Sequence, residues 1–241
     1  MKEKFNEKVI PIILKFINTK GIQSIKNGMV TSMSPLIIGS IFLILSNFPV
    51  KAVVDVLDQA CGATFSISAM IAVIGISYSY AKLENQEPLN CAIISLASFL
   101  ILMPSSITTE SGEVVTGIIN KTWTAGQGMI GAIIVGLIVP LVYCWFLKKN
   151  IRIKMPAGVP EGVTNAFSAL IPAFVILTGT AVIHGICSIG FNTTGMEIIY
   201  KVVQTPLQKM TDSLGGAVLM CFTGPFLWFF GVHGSTVVGG I

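Results

Sequence analysis

His233 is the only ionisable side chain in the run FTGPFLWFFGVHGSTVVGG at 222–240. An imidazole can both donate and accept hydrogen bonds, and it titrates near neutral pH. Gly231 and Gly234 flank it, and glycines let the backbone leave a helix and let a ligand approach closely. Trp228 lies just upstream with Phe229 and Phe230, and flat aromatic faces suit the apolar faces of sugar rings. Ser235 adds a hydroxyl next to Gly234. His233, Gly234, Trp228 and Ser235 are therefore the candidate substrate-binding group, with Trp228 and Ser235 chosen for their nearness to His233. A polar group in hydrocarbon is costly unless it faces a cavity or a partner, and interrupted helices near the midplane are a common way for transporters to build sites. The alternative is a straight helix from Leu214, which would carry His233 to the cytoplasmic interface and leave it solvated. Spacing alone leaves both open.

Other chemistry is sparse. No Walker loop, GxSxG, HExxH or carboxylate pair in a plausible cleft occurs, so no catalytic residue, cofactor or metal site is expected. Glu84 and Glu87 read as solvated loop charges beside Lys82. His184, late in a long apolar span, reads as a hydrogen-bonded packing residue. The five cysteines (Cys61, Cys91, Cys144, Cys187 and Cys221) lack any metal-ligand spacing and read as small packed hydrophobes. The run GQGMIGAIIVG, Gly126 to Gly136, places small residues at helical spacing, which suits close helix packing in a bilayer better than phosphate binding.

The elements that would position His233 follow from composition. Of 241 residues, 53% are hydrophobic and 11% charged, against about 25% charged in soluble domains. Mean hydropathy is +0.81. Charges cluster in short stretches between long uncharged runs, several of which reach the roughly 20 residues that span a bilayer as a helix. The chain reads as an all-α integral membrane protein, a polytopic bundle of about six spans: Met29–Pro49, Thr64–Ala81, Asn90–Ile107, Thr124–Phe146, Gly162–Gly190, and Leu214 onward. The last span, interrupted by Gly224 and Pro225, is expected to be broken or re-entrant. The first 28 residues read as a basic amphipathic surface segment with no removable signal, and 192–212 as a second amphipathic surface helix. With the N-terminus cytoplasmic, eleven of the 15 basic residues fall inside and four (Lys51, Lys121, Lys201, Lys209) outside, a positive-inside bias. The net charge of +4 thus reports orientation and does not imply nucleic acid.

Three stretches carry a likeness to a known family: IKMPAGVPEGVTNAFSALIPAF, MSPLIIGSIFLIL and WFFGVHG. They resemble the membrane (IIC) component of the bacterial phosphotransferase system, nearest its lactose/cellobiose/diacetylchitobiose branch, along the whole chain. The resemblance implies a homodimeric permease in the bacterial plasma membrane. It further implies a dimerising scaffold over 1–190 and the start of a sugar-binding half over 191–241. On that likeness His233 hydrogen-bonds the sugar near its C6 hydroxyl, which receives phosphate from a phosphocysteine on a cytoplasmic IIB partner. A β-linked disaccharide, cellobiose or diacetylchitobiose, is the implied substrate. The family's glutamate from the later half has no counterpart in these residues, so the sequence reads as the N-terminal part of a longer protein.

The competing readings are an ion-coupled secondary sugar transporter and a truncated, non-transporting membrane scaffold. Ion coupling usually places a carboxylate within the membrane, and the six spans carry none.

Overall fold

With no water in hydrocarbon to satisfy peptide groups, uncharged runs of this length must close their own hydrogen bonds, and they do so as helices. The computed structural model describes residues 17–47, 51–108, 112–156 and 158–205, together with the helical positions 215, 216, 218, 221, 222 and 225. In chain order the elements are α1 (Lys20–Leu45), α2 (Lys51–Gly62), α3 (Ser68–Leu83), α4 (Pro88–Leu102), a hairpin of β1 (Ser106–Thr108) and β2 (Val114–Thr116), α5 (Lys121–Thr124), α6 (Met129–Lys148), α7 (Glu161–Phe191) and α8 (Gly195–Ile199). A π-helical turn, Tyr200–Gln204, continues α8. Among the described residues four helical stretches are long and apolar enough to cross a membrane: Lys20–Leu45, Val53–Leu83, Gly126–Lys148 and Glu161–Phe191. The apolar α4 is shorter.

Helix α3 is the hub, with α1, α4 and α6 packed around it and α7 lying against α4 and α6. Small residues make this possible. Ala69, Ala72, Val73 and Ile76 of α3 are fully buried, as are Ala132 of α6 and Cys91 and Phe99 of α4. The backbones of α1 and α3 approach closely where they cross at Gly28 and Gly75, since a Cβ on Gly75 would sit 2.7 Å from the Gly28 carbonyl oxygen. The Gly126–Gly136 stretch packs as expected. A Cβ on Gly136 would meet Ile76 at 3.1 Å, and one on Gly131 would meet the Met196 sulfur at 2.5 Å.

Buried serines enter these apolar helices by bonding their own turn. Ser32 Oγ donates to the Gly28 carbonyl at 2.8 Å, and Ser95 Oγ to the Cys91 carbonyl at 2.8 Å. Ser77 does the same with Val73. Of the cysteines, Cys61, Cys91, Cys144 and Cys187 are buried as small hydrophobes, whereas Cys221 is exposed.

Several boundaries differ from the sequence expectation. Helix α1 starts at Lys20, not Met29, and residues 20–28 continue the first span, with Ser24, Ile25 and Gly28 buried; residues 1–16 of the expected surface segment lie outside the described residues. The third span ends at Leu102, not Ile107. Pro104 disfavours helix in the residue before it, and the β-branched Ile107, Thr108, Val114, Val115 and Thr116 pair antiparallel, Ile107 opposite Val115. The stretch 51–62, taken for a loop, is helical. The surface helix expected over 192–212 begins at a capping box on Thr194, but it is partly sunk, with Met196 only 2% exposed. The sixth span lies largely outside the described residues.

Candidate functional site

Helices α1, α3 and α6 bring one end together through a carboxylate. Glu84, in the turn after α3, accepts from Lys20 Nζ at 2.8 Å and also from Lys148 Nζ. Its side chain is 9% exposed, while the two lysine side chains are 53% and 49% exposed. Burial pushes the Glu84 carboxyl up, but the hydrogen bonds from Lys148 and Lys20 outweigh it and hold the group below its ordinary value of 4.5. Glu87 caps α4, accepting from the Leu89 and Asn90 amides, both at 2.9 Å, with Pro88 as the first helical residue. The pair is therefore structural, and the solvated-loop reading is corrected. Each lysine is 64 residues from Glu84 in sequence, so local reading had no access to the contact.

Glu84→Gln is expected to lower stability by about 1–2 kcal/mol, discounted for the half-exposed lysines. Because the folded carboxyl titrates below its unfolded value, its contribution is complete above 4.5 and fades as pH falls below that. Thermal unfolding of wild type and Glu84→Gln at pH 7 and at a descending series of pH values below 4.5 checks this; the gap between the two should narrow as the pH falls.

At the opposite end lies a polar cleft of about 340 Å³. One wall is α7, where His184, Ser188 and Asn192 recur every fourth residue on one helix face. Asn192 ends α7 in the left-handed conformation, φ 49 and ψ 41, which asparagine tolerates better than most residues. The chain then turns through Thr193 into α8, where Thr194 and Glu197 form the capping box. Glu197 Oε2 accepts from Thr193 Oγ1 at 2.8 Å and from the Thr194 amide at 2.9 Å. Burial raises the Glu197 carboxyl, yet these hydrogen bonds and the charge of Lys201 bring it below its ordinary value. Ser105, between α4 and β1, and Ser106, the first residue of β1, form the facing wall.

His184 does not fit the expectation of a satisfied packing histidine: its Nδ1 is buried and has no hydrogen-bond partner. The i, i+4, i+8 series of His184, Ser188 and Asn192, followed by T-x-x-E, was a visible signal for one wall of this cleft. The other wall arrives from residues about 80 positions earlier and had none. The candidates His233, Gly234, Trp228 and Ser235 lie outside the described residues.

The sequence family described as "Phosphotransferase system, EIIC" matches residues 26–241. The oligo-beta-mannoside-specific EIIC component of Bacillus subtilis (strain 168) is 31% identical across all of this chain and 57% of its own length. The cellobiose-specific EIIC component of Geobacillus stearothermophilus is 31% identical, over 98% of this chain and 56% of its own. Among solved structures, the transporter ChbC, the IIC component from the N,N'-diacetylchitobiose-specific phosphotransferase system, superposes with a TM-score of 0.82 at 33% identity, covering 98% of this chain and 59% of that one. The chain thus spans a little over half the length of these relatives.

Proposed function

The chain belongs to the phosphotransferase system EIIC family, and from that premise we propose that it is the N-terminal part of a permease that carries a β-linked disaccharide across the bacterial plasma membrane. Cellobiose and diacetylchitobiose are the favoured substrates, and the named specificities of a cellobiose relative and of the ChbC structure support that choice. The match over 26–241, on a bundle of apolar helices, carries the reading.

The bundle suits the task because its ends alternate. Lys20, Glu84 and Lys148 meet at one end, and the hairpin and α8 lie at the other. The basic residues of the Glu84 end, with Lys149, Arg152 and Lys154 after α6, favour a cytoplasmic position for that end under the positive-inside rule. Residues 1–190 serve as the scaffold of a homodimer, and residues from 191 begin the sugar-binding half.

In the group-transfer step the C6 hydroxyl of the sugar attacks the phosphocysteine of IIB. The S–P bond breaks as the O–P bond forms, the hydroxyl proton leaves to a base, and IIB is released as a thiolate. In this reading His233 holds that hydroxyl and takes the proton, and Gly234, Ser235 and Trp228 contribute to sugar binding. Positioning and electrostatics dominate such transfers, so the permease contributes by orientation and is not an enzyme alone.

The test is uptake of labelled cellobiose by cells expressing the complete protein, with and without IIB and with a protonophore. Accumulation as sugar phosphate that needs IIB and resists the protonophore is expected. Free sugar accumulating without IIB and collapsing with the proton gradient would make the protein an ion-coupled transporter instead.

A further inference from the structure

We propose that the cleft between α7, α8 and the α4–β1 joint is a second binding site, which holds one neutral pyranose ring at the outer face of the membrane. None of its lining residues belongs to the His233 group.

Four observations define the occupant. His184 lines the cleft, and an imidazole there offers a donor or an acceptor to a ligand hydroxyl. The remaining lining is rich in hydroxyl and amide groups, with Ser188, Asn192, Ser105 and Ser106 on facing walls. Such groups both donate and accept, as sugar hydroxyls do. Glu197 is pinned by the Thr193 hydroxyl and the Thr194 amide. These occupy two of the roughly four acceptor positions of a carboxylate, and the rest can take hydroxyl donors. The ionised carboxylate disfavours a phosphate, which argues against a phospholipid headgroup. Among the described residues no three His, Cys, Asp or Glu side chains converge, so the donor set does not suit a metal ion either.

Size selects one ring. The volume of about 340 Å³ lies near the lower limit of the roughly 300–1,000 Å³ usual for small-molecule sites. A pyranose ring fits with room for bridging water, and a whole disaccharide would protrude. The hydrogen-bonded turn at 192–194 and the capping box fix the floor before any ligand arrives, which limits the ordering cost of binding.

The outer-face location rests on the permease reading and its orientation. If both hold, the cleft meets sugar before the translocation site does, and a disaccharide would dock one ring in it. Ring binding itself depends on neither.

The test uses the complete protein in detergent with methyl β-D-glucopyranoside as probe, read by saturation-transfer NMR. Transfer from wild type is expected, with His233→Ala as background so that only the cleft reports. Ser188→Leu, which fills the mouth from an exposed position, and His184→Phe should each abolish it. His184→Gln, which keeps a hydrogen-bonding group, should retain part. In cells, Ser188→Leu should raise the KM for cellobiose uptake about tenfold, as expected from losing one or two hydrogen bonds to the ligand, with the rate at saturating sugar retained. Equal transfer from wild type and both filling variants, or a high-resolution map of the soaked protein with water alone in the cleft, overturns the site. Failure of the permease reading looks different: wild type would form no sugar phosphate, whatever the NMR shows.

Discussion

Gly28→Ala is expected to destabilise the chain by about 2–3 kcal/mol, although alanine is the better helix former. In an exposed helix interior the exchange is favourable by about 1 kcal/mol. At Gly28 the new methyl would fall on the backbone of α3, with its nearest neighbours the Ile76 nitrogen and the Gly75 carbonyl carbon. A side chain can rotate away from such a collision, but backbone can yield only if the helices move apart, and close-packed interiors resist that. The shift would propagate, since α3 also carries α4 and α6. Gly179→Ala in α7 is the matched control, because a Cβ there meets nothing within 4 Å. Thermal unfolding of the complete protein in detergent reads both. Gly28→Ala should melt several degrees below wild type and Gly179→Ala at or slightly above it. Equal melting of the two variants would mean that α1 and α3 do not touch at these glycines.

That crossing shows how far sequence reading reached. Charge-free runs located five of the helices, because in a bilayer the length of an apolar run and the need to close peptide hydrogen bonds leave little choice of structure. The small residues of α6 could be assigned to packing for the same reason. Their partners could not be named, since Gly136 meets Ile76 and Gly131 meets Met196 across separations that no periodicity encodes. Errors gathered where local signals competed. Pro49 and the charges Lys51, Asp55 and Asp58 made α2 look like a loop, yet its Ala, Leu, Lys and Gln residues support a helix. Apolar Ile107 seemed to prolong α4, but Pro104 had already ended it. Glu84 looked solvated because its two lysines come from distant helix ends. The cleft was half legible: its α7 face and capping box stand in one contiguous stretch, and its serine wall comes from elsewhere.

His233→Ala in the complete protein is expected to abolish cellobiose binding at the translocation site without unfolding the protein, and it carries the largest effect of all. A site built to hydrogen-bond a hydroxyl loses far more than the bond when one partner goes, because the remaining polar groups stay buried and unpaired. In reverse, sites of this kind reject ligands that lack the hydroxyl by about 10⁴-fold or more, so at least a hundredfold loss of affinity follows. His233→Gln separates two roles of the imidazole. Its amide can still hold the hydroxyl but cannot accept the proton at neutral pH. Binding should therefore return in part, while IIB-dependent phosphorylation at saturating sugar stays low. If His233→Gln restored both, the residue would only orient the sugar, and the proton would leave to another base or to solvent. Calorimetric titration with cellobiose, paired with phosphorylation assays on the same preparations, distinguishes these cases. Normal cellobiose binding by His233→Ala would remove the residue from the site altogether and return it to the solvated position that a straight final helix would give it.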